Sequence, residues 1–157
     1  MRGIKMTQPP VRSGDFVHCL FPFNEKPEQP GPMPHIAYCL GVEQTPLGKL
    51  AIVAVYTTTT MRPDNQPKSK YTVEIDEASS RRMGMEKPFT IQPTHTAYLP
   101  LTPEFFPKLG QKDFVIGSAS EGLRRTIRDR FVAGIGDLAV RVLGPKNIRP
   151  QYLRPFS

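Results

Sequence analysis

The chain has 157 residues, 38% hydrophobic and 22% charged, with a formal net charge of +7 at pH 7. That length suits one domain with a core of its own, and no run approaches the roughly 18–20 apolar residues of a membrane helix, so a membrane partner is not expected. The N-terminal segment lacks the apolar core of a signal peptide, and the expected location is the cytoplasm. Two cysteines, Cys19 and Cys39, sit inside apolar runs and read as buried free thiols, with a disulfide between neighbouring strands as the alternative. No His/Cys set at ligand spacing accompanies them, and neither a metal nor a cofactor is expected.

The positive charge is unevenly placed. Residues 1–116 carry 13 Lys and Arg against 11 Asp and Glu, and residues 117–157 carry 8 against 3. A basic C-terminal third points to a polyanionic partner, either nucleic acid or an acidic protein. Eighteen prolines disfavour long helices and suit short strands joined by stiff loops.

Residues 1–12 read as a flexible arm. Phe16–Phe21 is a first strand ended by Pro22, and the loop 24–34 cannot join a ladder because its prolines lack N–H donors. Ile36–Val42 is a second strand, and a turn at 45–49 closes a hairpin onto the third, Leu50–Tyr56. Lys70–Ile75 alternates like a half-exposed strand. Residues 76–84 hold a helical turn that stops at Gly84. Phe89–Ile91 and Thr96–Leu99 are two further short strands, and Phe105 and Phe106 are expected to plug a barrel end.

A helix begins at Ile116 or Ser118, with Ser118 and Glu121 spaced as a capping box. Leu123, Ile127 and Phe131 form its apolar stripe, and Gly134 and Gly136 end it. A last strand within Asp137–Leu143 and a Pro-rich tail, residues 144–157, complete the chain. The expected fold is therefore mainly β: a small SH3-like barrel over residues 13–143 with one C-terminal amphipathic helix.

Several landmarks then fall in a familiar order. Gly14-Asp15-Phe16-Val17-His18-Cys19-Leu20-Phe21-Pro22, Ala37-Tyr38-Cys39-Leu40, Val53-Ala54-Val55-Tyr56-Thr57-Thr58-Thr59 and Leu99-Pro100-Leu101-Thr102-Pro103-Glu104-Phe105-Phe106 together resemble a divergent branch of the PemK/MazF toxin family. The resemblance spans about residues 13–106. It implies a homodimeric barrel that cleaves single-stranded RNA without a metal ion, by attack of a ribose 2′-OH on the adjacent phosphate, and that an acidic antitoxin neutralises. The alternative is a barrel that has lost catalysis and binds nucleic acid or a host protein, as a phage- or plasmid-borne inhibitor would.

The family places an arginine before its second strand, and this chain has Pro34-His35-Ile36 there. His35 is therefore the candidate acid or base, since imidazole exchanges protons near neutral pH. Thr58, and after it Thr57, takes the place of the family's Ser/Thr, and Arg62 is the candidate for the missing cation. His18 and His95 are weaker candidates. Lys26, Lys68, Lys70, Arg124, Arg125 and Arg128 are the expected phosphate contacts. Stacking surfaces for bases would come from Phe23, Tyr56 or Tyr71.

Overall fold

A computed structural model describes residues 9–60 and 62–156. Among them seven strands form one curled, half-barrel sheet, antiparallel except at one pair, with few helices. The strands are β1 (Asp15–Cys19), β2 (His35–Gln44), β3 (Leu50–Thr58), β4 (Val73–Ile75), β5 (Phe89–Pro100), β6 (Val115–Ser118) and β7 (Arg141–Leu143). Helix α1 spans Glu77–Arg82 and α2 spans Glu121–Gly136. The spatial order is β4-β5-β3-β2-β1-β6, and β7 lies parallel to the second half of β5. No helix among the described residues is long and apolar enough to cross a membrane.

The sheet is buried on both sides, which explains why its central strands read as unbroken apolar runs. Successive side chains alternate faces. Val17, Cys19, Ala37, Cys39, Ile52, Ala54, Ala97 and Leu99 meet one cluster, which the expected plugs Phe105 and Phe106 join together with Phe114. Phe16, Tyr38, Val55 and Ile91 meet the other side, where α2 lays Ile127. Phe131, one helical turn on, joins Ala51, Val53 and Tyr98 in a third cluster with Val140, Val142 and Leu153. Both cysteines are buried and free.

The boundaries differ from the expected ones for local reasons. The helix starts later because Ser118 is still in β6, its hydroxyl bonded to the Asp15 carboxylate at 2.7 Å. Ser120 is the cap instead, accepting from Leu123 N at 3.2 Å. Gly134 lies within α2, where the helix crosses Thr94 and Val140 too closely for any side chain. The fourth strand is only three residues long, because the carbonyls of Lys70 and Thr72 accept from Arg130, each at 3.1 Å, rather than from a strand. The two strands expected between Phe89 and Leu99 are one, β5, with a break in register.

Both ends of the domain are held more firmly than expected. Residues 1–8 of the anticipated arm lie outside the described residues, but Val11 is already in the core. The Pro-rich tail is packed: Leu153 is fully buried, and the buried Arg149 donates to Gly144 O at 2.7 Å. The loop 24–34 is tied to this tail, with Gly144 N donating to Pro27 O at 2.7 Å and Lys146 N to Glu28 at 2.9 Å.

The segment that follows α1 meets the edge strand β6 through glycine. Gly84, just past α1, has φ +95, and a Cβ on Gly117 in β6 would lie 2.1 Å from Met83 O. Gly117→Ala is therefore expected to force these two segments apart and to lower stability by about 1–3 kcal/mol. Gly122→Ala, in open space within α2, should instead raise it by about 0.4–1 kcal/mol. Urea unfolding of the two variants checks both signs.

Candidate functional site

Three recesses adjoin at one end of the sheet, where β2 begins and β3 ends, and Tyr56 lines all of them. The largest, about 720 Å³, is a groove lined by His18, His35, Ile36, Thr57–Thr60, Lys87 and Phe89. A second of about 460 Å³ holds Thr58, Arg62, Lys68, Glu74, Thr90 and Gln92. A third of about 350 Å³ lies under the β1–β2 loop, among Phe21, Phe23, His35 and His95.

The site is shaped by the break in β5. Val55 pairs with Thr96 but Tyr56 pairs with Gln92, so Pro93, Thr94 and His95 loop out of the ladder. Pro93 has no N–H to lose there, and the buried Thr96 hydroxyl donates to Pro93 O at 2.9 Å, which closes the excursion. The result is an aromatic cluster. The Tyr56 ring lies 4.6 Å from His95, 5.3 Å from Phe21 and 5.8 Å from His35, centroid to centroid. His95 also meets Phe21 edge-on at 5.2 Å, and its Nε2 is buried with no hydrogen-bond partner among the described residues.

The structure brings His35, Thr58, Thr57 and His18 to one groove and leaves Arg62 and His95 outside it. Thr57 is 5% exposed, and its hydroxyl donates to Ile36 O at 2.5 Å, a bond that joins β3 to β2. Thr58, half-buried, keeps its hydroxyl at the surface, where it accepts from Thr60 N at 3.1 Å. Arg62 lines the second recess and not the groove that holds His35. Its Nε is 3.3 Å from Glu74 and its Nη1 donates to Gln66 O at 2.5 Å. Lys68 approaches the same carboxylate at 3.7 Å.

The remaining cations are scattered. Lys26 is exposed in the β1–β2 loop, outside these recesses. Lys70 pairs with Asp137 at 3.2 Å, beside Tyr71, which donates to the same carboxylate. Arg124, Arg125 and Arg128 line a separate recess of about 230 Å³ along α2. Arg125 is paired there with Glu121 at 3.5 Å. Lys87, exposed at the rim of the largest groove, was not singled out from the sequence, where only its position just before a strand marks it.

Burial sets the protonation of the neighbouring groups. It holds His95 below the usual imidazole range, with Arg141 adding to the effect. It does the same for His18, assisted by Lys108. Cys39 is pushed up to about 12 by burial, which keeps it a thiol and not a nucleophile. Among the described residues no three His, Cys, Asp or Glu side chains gather where they would hold a metal ion. Comparison with protein-family models finds no match, and comparison with curated proteins finds none.

Two predictions separate structural from functional groups. Thr57→Val should lower stability by about 1–2 kcal/mol through the lost buried bond, whereas Thr58→Val should change it by less than about 0.5 kcal/mol; thermal unfolding measures both. For the histidines, folded-state values below the ordinary 6.5 mean that the unfolded chain binds more protons. Stability is then full above about pH 6.5 and falls as pH drops below it. His95→Gln should flatten part of that fall below about pH 6.5, followed by urea unfolding across pH.

Proposed function

We propose that this chain is an SH3-like barrel of the PemK/MazF type that takes single-stranded RNA along its strand-end groove and cleaves it without a metal ion. The observation that carries this reading is that His35 and Thr58, far apart in sequence, line one groove at the ends of β2 and β3. A ribose 2′-oxygen would attack the adjacent phosphorus, forming a 2′,3′-cyclic phosphate as the bond to the 5′-oxygen breaks. The 2′-OH proton passes to an acceptor and the departing 5′-oxygen receives one. His35 makes one of these transfers and water in the open groove the other. Thr58 donates a hydrogen bond to a phosphate oxygen, and Lys87 supplies the nearby positive charge. By the same resemblance the protein would act as a homodimer, with an acidic protein docking on the arginines of α2.

One observation favours a second reading. The guanidinium of Arg62 is engaged by Glu74 and opens on the neighbouring recess, so among the described residues no arginine lines the groove to stabilise a pentavalent phosphorane. A barrel in that condition would bind nucleic acid or a host protein without cutting.

Incubation of a long single-stranded RNA with the purified protein in EDTA separates the two. Cleavage predicts discrete fragments ending in 2′,3′-cyclic phosphate, with His35→Ala slowing the reaction about 10²–10⁴-fold and Thr58→Ala slowing it less. Intact RNA that nonetheless shifts with the protein in a gel would establish the binding module.

A further inference from the structure

The groove that holds His35 has one carboxylate among the described residues that line it, and the proton transfers given to His35 and water leave it without a task. That group is Glu86, in the short segment between α1 and β5. It is exposed, and its carboxylate makes no ion pair or hydrogen bond among the described residues. The neighbouring recess differs, for there Glu74 takes both Arg62 and Lys68. An unmatched carboxylate repels phosphate, so a groove that only bound RNA would do better without it.

The backbone fixes Glu86 at this rim. Met85 N donates to Ser80 O at 3.0 Å, and the Met85 side chain packs against the cluster that holds Phe16 and Ile127. On the other side Pro88 has its φ locked by its ring, and Phe89 is buried at the start of β5. Only Glu86 and Lys87 lie between these anchors, so both side chains start from held positions, as transfer to a positioned substrate requires. Of the other titratable groups that face the groove, His18 on β1 is held below the usual imidazole range by burial and by Lys108. His35 and Tyr56 stand on β2 and β3, and Lys87 adjoins Glu86 in the chain.

We infer that Glu86 is the general base of the cleavage and His35 its general acid. The inference rests on the RNA reading above and deepens it, giving to Glu86 the transfer otherwise left to water. The roles follow from the chemistry: an ionised carboxylate only accepts, whereas an imidazolium donates. The Glu86 carboxylate takes the 2′-OH proton as the 2′-oxygen bonds to phosphorus. The bond from phosphorus to the 5′-oxygen breaks as the His35 imidazolium protonates that oxygen. One product ends in a 2′,3′-cyclic phosphate and the other in a 5′-hydroxyl. Glu86 is left protonated and His35 neutral, and each exchanges one proton with solvent before the next turnover.

The test measures cleavage of a single-stranded RNA by the wild type, Glu86→Gln and Glu86→Asp across pH. Beside it, fluorescence anisotropy follows binding of a 2′-O-methyl RNA of the same sequence, which cannot be cut. Glu86→Gln should slow cleavage about 10²–10⁴-fold yet bind the inert RNA at least as tightly as the wild type, because a repelling charge has gone. The decline in rate on the acid side of the pH profile should vanish in Glu86→Gln and persist in Glu86→Asp, which keeps the carboxylate and part of the rate. Glu86 is exposed, so both variants keep the fold. Cleavage by Glu86→Gln at the wild-type rate, or a parallel loss of cleavage and binding, would overturn the role of Glu86 while leaving RNA cleavage in the groove. A wild type that leaves the RNA intact would overturn the cleavage reading and this assignment with it.

Discussion

The arrangement turns on three residues that the β3–β5 ladder omits. Pro93, Thr94 and His95 leave the register between Val55 and Tyr56, and the Thr96 hydroxyl bond to Pro93 O holds them out. Before this break β5 pairs with β4, and from His95 onward it accepts β7 in parallel. The break also directs what packs above it, because α2 crosses Thr94 at Gly134. Without it His95 would continue the ladder and would not face Tyr56. The position of the ring cluster is therefore a product of strand register rather than of any single side chain.

The formal charge of +7 overstates what the surface offers a polyanion. Arg130 is turned onto two backbone carbonyls, and Arg149 is 2% exposed. Arg62 and Lys68 share Glu74, and Lys70 is matched by Asp137. What remains is spread over several loops and helix faces. Phosphate contacts supply most of the salt-dependent attraction for nucleic acid, and this distribution offers a polyanion few cations on any one face.

Much of the fold was legible in the residues. The apolar runs of β2 and β3, the Phe105–Phe106 plugs and the Leu123, Ile127, Phe131 stripe each report a burial pattern that periodicity encodes directly. What periodicity does not encode is a hydrogen bond made by a distant group. Arg130 shortens β4 from 58 and 60 residues away, and Asp15 diverts Ser118 from its cap across 103. For the site, sequence order brought His35 and Thr58 forward as candidates, and they do share a groove. It also kept Thr57 as a second choice after Thr58, although alternation along a strand sends neighbours to opposite faces and only one of the two hydroxyls stays at the surface. The link between Tyr56 and His95 had no sequence signal beyond a proline inside a strand, which is itself a mark of a bulge.

The C-terminal segment has a consequence for how the chain is made. Val140, Val142 and Leu153 complete the cluster over Ala51, Val53 and Tyr98, and β7 adds to a strand formed some forty residues earlier. During synthesis from the N-terminus, β1–β5 must wait with that face of the sheet uncovered until residues 140–153 have left the ribosome. The apolar side of β3 is then a surface that chaperones or neighbouring nascent chains can reach, and its protection arrives last.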